Sequence, residues 1–365
     1  MRATRRQPPA ANHQPPTTTP DYLPAMKEWL PAGSKIAHFR VSSRLGASGV
    51  GEVYLAQDIS SGHSVALKLL PEALVSDQRI RQRFTQIYSL VAQVRHPNFC
   101  EVYESGITDS GRPFVAMEYF YGHSFDLFGF GIQLPIQQIV FLVVQIAEAL
   151  DAVHARGWFH LAVKPANLMI VSKQAKILDF GFGATFPLSL SEGAPEPMRA
   201  TLSDARYLSP EQIMGERLDQ RTDVFSLGAV FYELLAGRPP FAGSTVEEVI
   251  AAITLAEPEA VTEYRDDAPP ELEPILAKAL AKDISARYQT MGELALDLRN
   301  LAAQQPKWPS LPPLDPTKSI QPSGRNGHRT DGRGAGKLAQ GGDGQSPTSL
   351  LNDLKQLFGS RLKNK

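Results

Sequence analysis

The sequence predicts an α+β fold, rich in short strands over its first third and helical over the longer remainder. Three patterns carry that prediction. Apolar residues alternate through Arg40–Leu45 and Glu52–Ala56 on either side of a glycine cluster, as a β-hairpin requires. Short apolar runs follow at His63–Leu70, Glu101–Glu104 and Pro113–Tyr119. Apolar residues at helical spacing mark about 76–95 (Ile80, Phe84, Ile87, Leu90, Val91, Val94), and helical patterns continue at 135–156 and 219–235, the last stopping at Gly237.

Composition narrows the class of protein. Hydrophobic residues make up 42% and charged residues 21%, enough to bury a sizeable core. A formal net charge of -1 lacks the cationic surplus that wholesale nucleic-acid binding needs, so no nucleic-acid partner is expected. The single cysteine, Cys100, cannot close an intrachain disulfide and fits a reducing compartment; its apolar surroundings suit a small core residue. The basic start runs into prolines and threonines, unlike a secretory signal. The most apolar stretch, Ile139–Leu150, is interrupted by Gln145 and Glu148 and reads as too short and too polar to span a membrane. A soluble, cytoplasmic protein is expected.

Both ends differ from the middle. Residues 1–38 are rich in Pro, Thr and Gln and are expected to be a disordered leader. Its apolar island (Tyr22, Leu23, Met26, Trp29, Leu30) either packs loosely on the domain or meets a partner. Residues 304–345 read as a disordered linker. Residues 346–365 read as an amphipathic helix, with Leu350, Leu351, Leu354, Leu357, Phe358 and Leu362 on one face and a basic flank of Lys355, Arg361, Lys363 and Lys365. That helix would meet a partner or a membrane surface, or fold back on its own domain.

The chemistry lies between. Glycines let backbone N–H groups approach phosphates closely, because no side chain intervenes. Lys68 is the one charge in an apolar strand beyond the glycine cluster. Further on stand His160-Leu161-Ala162-Val163-Lys164-Pro165-Ala166-Asn167, then Leu178-Asp179-Phe180-Gly181, Ser209-Pro210-Glu211, Asp223-Val224-Phe225-Ser226-Leu227-Gly228 and Arg287. In that order and spacing the set resembles the eukaryotic-type Ser/Thr protein kinase family. The resemblance covers about 39–303. It implies a protein-kinase-like two-lobed fold, with a small β-rich N-lobe at 39–118, a larger helical C-lobe at 119–303, and ATP and magnesium in the cleft between them.

The resemblance also implies roles. Leu45, Gly46, Gly49, Gly51, Val53, Ala66, Glu118 and Met169 would surround the nucleotide, and Lys68 would contact its α- and β-phosphates. Met117 would line the back of the adenine pocket, with backbone groups of Glu118 to Phe120 facing the base. Asn167 and Asp179 would hold magnesium, and Lys164 would lie near the transferring phosphate. His160 would pack beneath Phe180, Asp223 would bond the catalytic-loop backbone, and Arg287 would pair with Glu211.

Five positions depart from the family pattern. Ala162 stands where the family has the aspartate that accepts the substrate proton, and Leu161 where it has arginine. Counting back from His96-Pro97-Asn98, Ile87 occupies the place of the helix glutamate that pairs with the strand lysine, leaving Lys68 without a carboxylate unless Asp179 serves. Ser48 replaces the second loop glycine and Asp204 a threonine. With Leu161 for arginine, control by activation-segment phosphorylation is not expected. The sequence alone therefore favours a pseudokinase that binds magnesium-ATP weakly and serves as a regulatory or scaffold protein. The alternatives are an active or weakly active Ser/Thr protein kinase acting on a protein substrate, and an interaction module with an empty cleft.

Overall fold

In the computed structural model of the chain, the residues described are 29–48, 51–130, 132–180, 190, 200–306, 308 and 363–364. The alternation about the glycines forms the expected hairpin, strands β2 (Phe39–Ser48) and β3 (Gly51–Asp58). With β1 (Lys35–Ile36), β4 (Ser64–Leu69), β5 (Val102–Ile107) and β6 (Pro113–Glu118) they make a six-stranded antiparallel sheet ordered β1-β2-β3-β4-β6-β5. Register breaks at Val41/Ser43 and Arg44/Gly46 kink β2.

The period of two sorts this sheet into two faces. Leu67 and Leu69 of β4 join Phe39, Val41, Tyr54, Ala56 and Phe114 in an outer cluster, while Ala66, Val115 and Met117 face the main core. The chain is ordered earlier than the expected leader boundary at 38. Trp29 and Leu30 pack on the outer cluster, the Arg44 guanidinium lies 3.2 Å from the Trp29 ring centroid, and Leu30 N donates to Tyr54 Oη at 3.2 Å. An apolar sheet face with no helix packed on it among the described residues needs a cover, and these two side chains supply part of one. Tyr22, Leu23 and Met26 lie outside the described residues.

A short helix α1 (Glu72–Val75) leads into α2 (Gln78–Val91), whose first N–H groups are capped by Asp77. Beyond β6 lie β7 (His123–Ser124), β8 (Ile132–Gln133) and α3 (Ile136–His154). This helix matches the 135–156 pattern and extends past the apolar stretch Ile139–Leu150 at both ends; by length and composition it could cross a membrane, but most of it is buried in the C-lobe core instead. β9 (Leu168–Val171) and β10 (Gln174–Ile177) form a hairpin, followed by α4 (Leu202–Ala205), α5 (Pro210–Met214) and α6 (Gln220–Ala236). Helices α7 (Val246–Leu255), α8 (Leu272–Ala279) and α9 (Met291–Gln304) complete the lobe. At the far end, Lys363–Asn364 form a strand β11 paired with β8, so these two residues are extended rather than helical as expected; 346–362 lie outside the described residues.

Asn98 stitches the lobes together. Its side chain donates to Gln145 Oε1 (2.9 Å) and Ala175 O (2.7 Å), and its carbonyl accepts from Ile177 N (2.7 Å). Cys100 N bonds Ile177 O at 2.9 Å, and the Cys100 thiol is buried, as a core residue should be.

Candidate active site

Strand β4 delivers Lys68 to the cleft. Its side chain is almost fully buried, and Nζ donates to Asp179 Oδ1 at 2.7 Å, across 111 residues of chain. Asp179 thus supplies the carboxylate that the sequence does not place on α2. It adopts φ = 52°, a left-handed conformation rare for a residue with a Cβ, which the following buried Phe180 helps fix. Phe180 packs edge-on against His160 (centroids 5.9 Å apart) and Phe99 (5.0 Å). Helix α2 turns Tyr88 inward rather than Ile87: Tyr88 is buried, and burial first, then the charge of Asp179, hold its phenol well above the usual range. Ile87 is half-buried against the core.

The catalytic-loop backbone hangs from one buried carboxylate. Asp223, in the first turn of α6, accepts from His160 N (2.8 Å) and Leu161 N (2.7 Å) and bonds His154 Nε2 (2.8 Å). Burial opposes this charge, but the His154 bond and the amides outweigh it and keep the carboxyl below its ordinary value. Leu161 sits at φ = 58°, a strained conformation costing about 1–3 kcal/mol. The two Asp223 bonds and a Gln212 bond to Leu161 O (3.1 Å) hold it there. His160 Nδ1 accepts from Ala162 N (3.3 Å), so Nε2 carries the proton donated to Leu178 O (2.9 Å). Asn167 Nδ2 donates to Ala162 O at 2.8 Å, which leaves the side-chain carbonyl of Asn167 without a hydrogen bond among the described residues.

Ala162 presents only a methyl group. The nearby carboxylate comes from α4 instead: Lys164 Nζ donates to Asp204 Oδ1 at 2.6 Å. Asp204 Oδ2 accepts from Thr201 Oγ1 (2.6 Å) and Thr201 N (3.1 Å), closing a capping box. Burial pushes the Asp204 carboxyl up, but the Lys164 charge and the Thr201 bonds outweigh it and hold it below the usual range. Asp126 completes the group. Its carboxyl is raised by burial, with Lys164 drawing it down and Asp204 pushing it up.

Strand register sets several of the other expected nucleotide residues relative to Lys68 and β6. Gly46 pairs with Val53, Val53 with Lys68 and Ala66 with Met117, while Leu45 is exposed on the outer part of the hairpin. Ala66 and Met117 are buried, and Met169 is half-buried on β9, paired with Ser124 of β7. Glu118 has its N–H bonded to Glu101 O (2.8 Å), its carboxylate to Lys176 (3.2 Å) and its carbonyl to the Cys100 thiol (3.6 Å), which leaves the carbonyl's second lone pair as the backbone site that could meet a base. Gly49 and Gly181 lie outside the described residues. No cluster of three or more His, Cys, Asp or Glu able to hold a metal occurs among the described residues. A magnesium ion held by one carboxylate, one amide carbonyl and the phosphates needs none, and the hard oxygens of Asp179 and Asn167 suit it. Sequence reasoning missed Tyr88, Asp126 and the use of Asp204 as the partner of Lys164. For Asp204 the signal was present, a carboxylate gained in the segment that faces the place where one was lost.

A small antiparallel sheet lobe, a helical lobe, and a lysine and aspartate meeting across the cleft define a protein-kinase fold. The protein kinase domain family matches residues 39–296, and the chain belongs to that family. It is 34% identical over 273 residues to the serine/threonine-protein kinase PknB of Mycobacterium leprae, covering 73% of this chain and 43% of that protein. It is also 34% identical over 265 residues to PknB of Mycolicibacterium smegmatis, covering 71% and 42%. The chain thus spans less than half the length of these relatives. A crystal structure of the Mycobacterium tuberculosis PknI kinase domain matches with a TM-score of 0.60 and 29% identity, covering 75% of this chain and all of that one.

Proposed function

We propose that this chain is a magnesium-ATP-dependent protein kinase domain that transfers the γ-phosphate, slowly, to serine or threonine hydroxyls of a protein. The observation that carries this is the Lys68–Asp179 contact at 2.7 Å, which brings the phosphate-binding and metal-binding side chains together at one point in the cleft. Lys68 and the glycine hairpin would hold the phosphates, Asn167 and Asp179 the magnesium, and Lys164 the transferring group. Bound there, magnesium would neutralise charge on the phosphate oxygens.

Magnitudes favour residual transfer over none. General-base catalysis contributes roughly 10²–10⁴ in rate, about 3–5 kcal/mol. Enzymes lower barriers by about 8–23 kcal/mol in total, and phosphoryl transfer owes most of that to positioning and charge. The groups that do the positioning are present and framed by Asp223, so losing a carboxylate at 162 removes only the smaller part.

A pseudokinase is the second reading, favoured by Ala162 and Ile87. Transfer of labelled γ-phosphate from ATP to a degenerate Ser/Thr peptide library separates the two. Transfer above that of an Asp179→Asn control supports the proposal, and none above it leaves the pseudokinase. A thermal shift with magnesium-ATP tests the empty cleft: ligand at about 100 times its dissociation constant adds roughly 2.7 kcal/mol to stability, and that gain should vanish in Lys68→Ala.

A further inference from the structure

We propose that Asp204 is the proton acceptor for the substrate hydroxyl, replacing the aspartate that the family carries where Ala162 stands. The proposal rests on the transfer activity proposed above. In the family pattern the loop holds one carboxylate beside its lysine, and the activation segment holds a threonine. Here the loop has alanine and the segment has aspartate, so the carboxylate bonded to Lys164 comes from the segment and not from the loop.

The geometry suits the task. A carboxylate offers about four lone-pair sites. Among the described residues three are engaged: Oδ1 by Lys164, and Oδ2 by Thr201 Oγ1 and Thr201 N. The remaining site is on Oδ1, the oxygen next to the lysine that would contact the transferring phosphate. An incoming Ser or Thr hydroxyl bound there would donate to Asp204 Oδ1 while its oxygen points toward the γ-phosphorus. As the new O–P bond forms, the bond from that phosphorus to the bridging oxygen breaks and ADP leaves. The hydroxyl proton passes to Asp204 and then to solvent. Thr201 and the lysine fix the carboxylate in place, and its side chain is only 13% exposed. Positioning of this kind is what a base in phosphoryl transfer chiefly contributes.

The test measures labelled transfer to the Ser/Thr peptide library and to the chain itself in four proteins: wild type, Asp204→Asn, Asp204→Thr, and the double variant Ala162→Asp/Asp204→Thr. Asn has the same shape but only one acceptor oxygen, so Asp204→Asn keeps either the Thr201 bonds or the Lys164 bond while losing proton acceptance. Expected is a loss of roughly 10²-fold or more in kcat for both single variants, with KM for ATP within about twofold. The double variant, which returns the carboxylate to the loop, should recover most of the rate. Wild-type transfer above the Asp179→Asn control, with Asp204→Asn within about threefold of wild type, overturns the assignment of Asp204 alone. Wild-type transfer no greater than that control on either substrate overturns the kinase activity itself, and the assignment with it.

Discussion

The side chain of Lys68 occupies the space that a Cβ on Gly51 would need. An ideal Cβ there would lie 2.6 Å from Lys68 Cε, 2.9 Å from Lys68 Cγ and 3.2 Å from Leu69 O. Gly51 starts β3 beside β4, and its bare Cα is what lets the lysine run along the sheet to Asp179. The glycine the sequence assigns to the phosphates therefore has a second use, making room for the lysine that would bind them.

Gly51→Ala should push Lys68 off its present path and lengthen the 2.7 Å contact with Asp179. Magnesium-ATP affinity is expected to fall about tenfold, equivalent to about 1.4 kcal/mol. Isothermal titration with magnesium-ATP measures it; unchanged affinity would show that Lys68 reaches the phosphates by another route.

Arg287 and Glu211 join helix α5 to the end of the helical lobe, 76 residues apart, with Nη1–Oε1 at 2.8 Å and both side chains buried. Arg287→Leu leaves the Glu211 charge buried with Thr222 as its remaining side-chain partner among the described residues, and should cost about 3–5 kcal/mol. Removing both charges in Arg287→Leu/Glu211→Leu should cost less than that, although Ala281 O and Arg221 O then lose their donor. Urea unfolding of the three proteins gives the comparison, and a double variant as unstable as the sum of its parts would rule out the pair as a unit.

Burial lowers the pKa of His160, which the fold uses as the neutral tautomer protonated on Nε2. Between the unfolded value near 6.5 and the depressed folded value, the unfolded chain binds a proton that the folded chain refuses. Stability should therefore fall as pH drops below about 6.5, by at most about 1.4 kcal/mol per pH unit from this one group. Unfolding midpoints at several pH values between 7 and 5 should show a shallower fall in His160→Gln than in the wild type.

What the sequence made legible was everything fixed by order along the chain. The glycine hairpin, the lysine strand, His160 under Phe180, Asp223 beneath the loop and the Arg287–Glu211 pair all follow from motifs whose spacing is specific. Less legible were features set by how elements meet. Trp29 and Leu30 stand out in the leader as apolar, but only their packing on the outer sheet face shows that they meet the domain itself. Lys164 and Asp204 stand 40 residues apart, so nothing local says that a carboxylate lost from one segment is supplied by the other. The pairing of Lys363–Asn364 with β8 is likewise a long-range contact that amphipathic spacing could not foretell.

Helix α2 supplies the last case, because one residue of rotation decides which side chain faces the cleft. Tyr88 is 2% exposed and feels the charge of Asp179, while Ile87 is half-buried, about 100° away around the helix. A carboxylate placed at 87 therefore points away from the lysine unless the whole helix turns, and turning it would pull Tyr88 and its neighbour Phe84 (ring centroids 4.8 Å apart) out of the core. Fully exposing one such side chain costs about 1.5–3 kcal/mol, more than an ion pair at a partly exposed site returns. Ile87→Glu is thus expected to leave Lys68 on Asp179, with magnesium-ATP affinity within about twofold of wild type and no gain in phosphate transfer. Titration and the labelled-phosphate assay measure both. A rise of about tenfold or more in either would mean that the helix rotates and that the family's lysine–glutamate pair can be rebuilt by one substitution.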